Sequence, residues 1–350
     1  MAISSWSAGI IRPVAVAPTG PYQDGAAPGV WTLDEAAFWT KQGLWPTAGN
    51  LSGPVGTRGV FFGGYAGGTN NVIDYIDIAS AGNALDFGDL TVHSLSSPAC
   101  GSATRGVKAG GLGAGFSSTN VIEYITFATT GNATDFGDML STDSYFGAGC
   151  NSSTRGLFGG SSTPINVIQY ITIATTGNAT DFGDLSLSRG ALGACSSSTR
   201  GVWAGGTAVA GSNVIDYVTI ATTGNATDFG DLLLANEGGL AGCGSSTRGL
   251  FAGGTESSTR CNTIQYITIA STGNSTDFGD LTEKPNNLSA CSSASRGVFG
   301  GGEKTDPAPS GKTNVITFVT IASIGNATDF GDLSAAKDTL SATSNGNGGL

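Results

Sequence analysis

Few residues in this chain of 350 have the types and spacing that chemistry demands. Histidine occurs once, at His93, which leaves little for a histidine-paired nucleophile or a multi-histidine metal site. Carboxylates number 26, but twelve lie in six copies of Asp-Phe-Gly-Asp that open at Asp86, Asp135, Asp181, Asp228, Asp277 and Asp329. A catalytic acid–base pair is a non-repeated constellation, whereas six equal copies describe a frame. Protein kinases use the same tripeptide once, beside a glycine-rich loop, a strand lysine and His-Arg-Asp, none of which accompanies it here. Two carboxylates per copy are too few oxygens for calcium. The motif is therefore expected to form a turn in which carboxylates accept backbone N–H bonds and the Phe fills a gap between sheets. Acids outside it, such as Asp143, Glu237, Glu256 and Glu303, are scattered along the sequence. No catalytic, cofactor-binding or metal-binding residue is assigned, and the expectation is a protein that is not an enzyme.

Thiols and guanidinium groups are as periodic as the acids. Cys100, Cys150, Cys195, Cys243 and Cys291 each precede an Arg-Gly pair by five residues, and Cys261 alone falls elsewhere. Equivalent positions on face-packed sheets lie up to ~10 Å apart, beyond the ~7 Å between Cα atoms that a disulfide tolerates. Free thiols acting as small buried fillers follow. Six of the nine arginines are repeat anchors: Arg58, Arg105, Arg155, Arg200, Arg248 and Arg296. Their expected role is structural, each bonding an Asp-Phe-Gly-Asp carboxylate or turn carbonyls in neighbouring sheets. Asn-(Ala/Ser)-Thr at Asn132, Asn178, Asn225, Asn274 and Asn326 matches a glycosylation acceptor, but the constant turn around it explains Asn by backbone geometry.

These residues must be carried by elements, and the repeat defines them. The arginine anchors recur at 47, 50, 45, 48 and 48 residues, the period of propeller blades with four strands each. Around Arg200 the four strands are expected at Gly193–Ser196, Val202–Ala204, Val214–Ala221 and Thr227–Leu233. The third strand, as in Val167-Ile168-Gln169-Tyr170-Ile171-Thr172-Ile173, is apolar on both faces, so both must be covered. Sheets sandwiched between neighbours satisfy that; a β-solenoid would need a half-period near ~24 residues, which is missing. The reading is all-β, a six-bladed propeller over residues 51–350. Two segments, Leu51-Ser52-Gly53 and Leu340-Ser341-Ala342-Thr343, compete for the innermost strand of the first blade. Connections one and three of each repeat are nearly constant, while two and four vary. The variable pair shares one face, where recognition is expected.

Composition agrees. Glycine fills 57 positions and charged residues only 12%, as many short strands and turns require and helical bundles do not. A net charge of −11 argues against nucleic acid, and no stretch reaches the ~18 apolar residues of a membrane span. Residues 1–50 differ: Trp6, Trp31, Trp39 and Trp45 crowd into them with five prolines, and Thr32 with Glu35 caps a helix over Leu33–Gln42. Ten residues make no core of their own. The arm is expected to dock through Trp6, Trp31, Phe38, Trp39 and Trp45.

The glycine pair after an apolar strand, followed by a tyrosine strand and a later aromatic, resembles kelch-type propeller repeats, with Phe136, Phe182, Phe229 and their equivalents replacing the usual late tryptophan. Arg-Gly-Val-Phe-Gly-Gly-Gly, Asn-Val-Ile-Asp-Tyr and Thr-Gly-Asn-Ala-Thr-Asp-Phe-Gly-Asp-Leu are similar to repeats in virion and tail proteins of marine bacteriophages, particularly those of cyanobacteria, over 51 to about 345. Gly29 to Glu35 through Gly43 to Pro46 resembles a short aromatic module of the same proteins. The resemblance implies a virion structural protein made in the host cytoplasm, with no cofactor and no catalytic residues to carry over. Tail fibre or adhesin is the first placement, capsid decoration or head fibre the second, and a glycan-active propeller enzyme the alternative of another class. Other virion proteins would bind residues 1–50, a host-surface glycan or protein would meet the variable loops, and several copies or a symmetric oligomer would sit on the particle. Neither nucleic acid nor membrane insertion is expected.

Overall fold

The computed structural model describes residues 58–142, 145–161, 165–208, 210–306 and 309–350. The chain divides after Val55, and the second unit, Gly56–Leu350, carries all that follows. The arm expected at 1–50, with its helix and its tryptophans, lies outside the described residues.

Among the described residues the protein is all-β, with one 3-10 turn at Ala114–Phe116 and no α-helix. Six antiparallel sheets follow the repeat. Sheet I joins Ser341–Ser344 to Arg58–Phe62, Val72–Asp77 and Leu85–Asp89; sheets II to VI run in chain order over 99–138, 148–184, 193–236, 241–280 and 289–332. Sheet IV shows the pattern, with Gly193–Ser196, Arg200–Ala204, Ser212–Thr219 and Thr227–Asn236 side by side. The C-terminal segment thus fills the innermost place of sheet I, pairing Phe62 with Ser341 and Gly59 with Ser344.

The third strands are covered on both sides, as their apolar sequence requires: in sheet III, Ile168 and Gln169 point to opposite faces and both are buried. Asp-Phe-Gly-Asp does not make the turn its composition suggests but lies within the fourth strand, in agreement with the strand expected over Thr227–Leu233. It forms the outermost strand, where Ile168 faces Gly183 and Gln169 faces Asp181, so that Phe182 occupies a bulge. Gly183 takes φ +143°, and a Cβ there would sit 2.5 Å from the Gly224 carbonyl of the next sheet. Only glycine permits that approach. Burying Phe182 while leaving Asp181 in solvent is what the bulge accomplishes.

Stability resides between sheets. Six apolar clusters each combine residues of two consecutive sheets, and the last joins sheet VI (Cys291, Val298, Ile316, Phe330) to sheet I (Phe61, Ile76, Ile78). The turn asparagines bridge the same boundaries: Asn132, Asn178, Asn225, Asn274 and Asn326 accept the N–H of Asp89, Asp138, Asp184, Asp231 and Asp280, and Asn83 accepts that of Asp332. It is the preceding glycine (Gly131, φ +154°) that takes the left-handed conformation, so the asparagine is needed for its amide oxygen rather than for its φ.

One further cycle has no sequence signature. Ser96, Phe146, Ala191, Gly239, Asn287 and Thr339 stand before the six innermost strands with φ between +53° and +73°. Each donates its N–H to the carbonyl of its counterpart one sheet back, and Ser96 donates to Thr339, at 2.6–3.1 Å. Such a conformation costs about 1–3 kcal/mol at a non-glycine residue and persists where the surroundings impose it.

Candidate functional site

The repeat anchors are placed alike. Each arginine lies over the aromatic ring of its own third strand, as Arg105 Cζ does 4.5 Å from the centroid of Tyr124, whose ring meets Phe136 edge-on at 6.0 Å. Its Nη1 then donates across the boundary to the end of the next third strand: Arg105 to Ile173 and Ala174, Arg155 to Ile220 and Ala221, Arg200 to Ile269, Arg248 to Ile321 and Ala322. Arg58 donates to Phe127, and Arg296 returns to Ile78 and Ala79 of sheet I. The acceptors are main-chain carbonyls, not Asp-Phe-Gly-Asp carboxylates.

All six cysteines are free thiols. Cys150 Sγ would stand 2.6 Å from a Cβ on Gly201, and Cys291 Sγ 2.6 Å from one on Gly59, so the glycine of each Arg-Gly pair makes room for the thiol of the preceding sheet. Thr343 takes the thiol's place in sheet I, against Gly106. Burial raises the Cys243 thiol to about 12 and drives the other repeat thiols upward too, which disfavours the thiolate form.

Three buried ion pairs interrupt the repetition: Lys108–Glu123 (3.5 Å), Arg189–Asp216 (2.8 Å) and Lys337–Asp74 (2.8 Å). Their acids occupy one repeat position, which holds Gln169, Gln265 and Thr317 in the other sheets. That side chain caps the outer edge of the preceding sheet: Thr91 N–H donates to Glu123, Leu140 N–H to Gln169 and Leu233 N–H to Gln265. Desolvation lowers Lys108 to about 8, against the pull of Glu123. These charges are sealed between sheets, out of reach of a substrate.

The innermost strands surround a cavity of about 100 Å3, lined by Ala99, Gly149, Ala194, Gly242, Ala290, Ala342 and their neighbours. Its walls are main chain and small side chains, without a titratable group. At the end where connection one emerges, the tail crosses it: Asn347 exchanges side-chain bonds with Asn151, and Gly348 lies against the carbonyls of Ser196 and Ser245.

At the opposite end the variable connections gather the acids that looked scattered. Glu237 accepts the Ser258 N–H (3.0 Å), Glu303 pairs with Arg260 (2.7 Å), and Glu256 lies in the same hairpin, Thr255–Arg260, beside Cys261. Burial raises the Glu256 carboxyl, and burial with Glu256 nearby raises Cys261 to about 12. Asp143 lies outside the described residues. Lys284–Asp306, Lys304–Glu283 and Lys312–Asp338 tie further connections together. Among the described residues no three His, Cys, Asp or Glu side chains converge as metal ligands.

A short stretch of this surface differs. Tyr65 and Phe116, from connection two of sheets I and II, lie 5.8 Å apart, with Lys312 Nζ 4.3 Å from the Tyr65 ring centre and His93 alongside at Thr69. Neither aromatic belongs to the repeat, and both lie where the sequence expects variation. No protein-family model matches this chain, and no curated protein matches it.

Proposed function

We propose that the six sheets are the blades of a closed six-bladed propeller of kelch-like pattern, serving as a non-enzymatic display module of a bacteriophage particle. Closure is supported by the same set of contacts recurring at every boundary, VI to I included: the arginine bond, the asparagine bond and the apolar cluster. The observation that carries the display reading is the division of labour between faces. The arginine and asparagine bonds that join sheets repeat at every boundary, whereas the face bearing connections two and four differs from sheet to sheet in sequence, charge and aromatic content. An enzyme would need unpaired acids or bases facing a cavity; the central cavity is lined by main chain and small residues, and of the outlying acids Glu303 is held by Arg260 and Glu237 by the backbone.

Placement on a particle rests on the resemblance of the repeats and of the aromatic arm to marine phage virion proteins. A tail fibre or adhesin fits best, because one face is free to vary toward a host surface; capsid decoration uses the same parts. The arm, with Trp6, Trp31, Phe38, Trp39 and Trp45, would bind other virion proteins in several copies. Deleting residues 1–50 should leave a soluble protein that no longer enters particles, read by immunoblot of purified particles. Normal incorporation would remove the docking role, and undiminished release of sugars from host polysaccharide by the purified chain would favour the enzyme instead.

A further inference from the structure

Phe116 is 58% exposed and takes φ +60°, at the tip of a loop that holds it there through Phe116 N–H to Gly113 O (3.0 Å) and Ser117 Oγ to Ala114 O (3.0 Å). A bulky side chain in the left-handed region, presented to water, costs free energy twice: in backbone strain and in apolar exposure. Beside it Tyr65 is fixed through its main chain, which exchanges bonds with Asp338 (Tyr65 N–H to Asp338 O, 2.8 Å), and through Lys312, which stacks on its ring and pairs with Asp338 at 2.6 Å. His93 donates Nδ1–H to the Thr69 carbonyl at 2.7 Å, since a carbonyl only accepts. His93 itself is exposed, so its ring is presented on the same surface. Thr69 Oγ1 and the Lys312 ammonium add a hydroxyl and a donor to the same rim.

We infer that Tyr65 and Phe116, rimmed by Thr69, His93 and Lys312, form a saccharide-binding subsite. The inference rests on the variable face being the recognition face and names what that face would bind. An aromatic face is negative at its centre and attracts the weakly positive C–H groups of a pyranose ring, while hydroxyls at the ring's edge need mixed donors and acceptors close by. The rim supplies both kinds, the Thr69 hydroxyl as donor or acceptor and the Lys312 ammonium as donor. The neighbouring carboxylate of Asp338 is already neutralised by Lys312, so a neutral sugar fits better than a cation.

Saturation-transfer NMR on the full chain tests this, with methyl β-glucopyranoside, methyl β-galactopyranoside, methyl α-mannopyranoside and methyl N-acetyl-β-glucosaminide as probes. At least one probe should receive saturation, strongest on the protons of one ring face. Phe116→Ala should weaken that binding about tenfold or more, and Phe116→Tyr should retain it. Both variants alter an exposed tip, and an unchanged thermal melt checks that they fold. If no probe receives saturation from the native chain, or Phe116→Ala binds as the native chain does, the subsite is refuted. Either failure leaves the particle-incorporation result for the truncated arm untouched, so the two readings fall separately.

Discussion

At the scale of single residues, the repeat is a set of steric and polar exchanges across boundaries. The Arg-Gly glycine is the clearest case. Gly201 has no need of unusual backbone angles; it is required because Cys150 Sγ already fills the place of its Cβ. Gly201→Ala is therefore expected to destabilise by about 1–3 kcal/mol through overpacking, seen as a lower Tm. The double variant with Cys150→Ala should recover part of that loss, because the smaller side chain vacates the contested volume. Additive losses in that cycle would show that the thiol is not the obstacle. Cysteine spacing and the Arg-Gly pair were both legible in the sequence, but that one exists for the other was not, since the contact joins residues about fifty positions apart.

At the scale of elements, the third strands carry one polar position between two apolar ones, and the structure explains which residue suits it. Lys108 faces Glu123 in sheet II where Phe158 faces Gln169 in sheet III and Phe251 faces Gln265 in sheet V. Lys108→Phe alone should cost about 3–5 kcal/mol, because it strands a buried carboxylate. Adding Glu123→Gln recreates the sheet III arrangement and should restore native stability or exceed it, measured by denaturant unfolding. The pH dependence has a definite sign. Burial lowers Lys108 from 10.5 to about 8, so between these values the unfolded chain binds the extra proton. Native stability should accordingly rise across that window relative to the double variant; a flat difference would contradict the depressed value. The four strands around Arg200 were readable from periodicity, glycine pairs and turn residues, with some ends that differ from the observed Arg200–Ala204, Ser212–Thr219 and Thr227–Asn236 by two or three residues. The bulge inside Asp-Phe-Gly-Asp was not, because it is set by the close approach of the neighbouring sheet's carbonyl to the motif's glycine, which leaves no mark in the strand's own sequence.

At the scale of the whole molecule, the first sheet is completed from the far end of the chain. Ser341–Ser344 pairs with Arg58–Phe62, Asn345 Oδ1 accepts the Arg58 N–H at 2.9 Å, and Asn347 reaches Asn151 in sheet III. Removing 341–350 exposes the edge of Arg58–Phe62 and breaks two boundaries at once. The truncated chain should lose its single cooperative thermal transition, and a peptide covering 336–350, added in excess, should restore it by mass action. A truncated chain that melts like the full one would deny the segment this role.

Sequence alone determined the number of repeats, the four strands in each, their covered faces and the free thiols, because these follow from local periodicity and from residue types repeated six times. It also marked the variable connections. Tertiary structure alone decided which of two segments completes sheet I, why Asn follows Gly in the constant turn, and that Ser96, Phe146, Ala191, Gly239, Asn287 and Thr339 share one hydrogen-bonded cycle. It brought Tyr65, Phe116 and His93 together as well. The reason is physical: main-chain bonds between distant residues make no demand on side-chain identity, and proximity across sheets leaves no period in the chain to read.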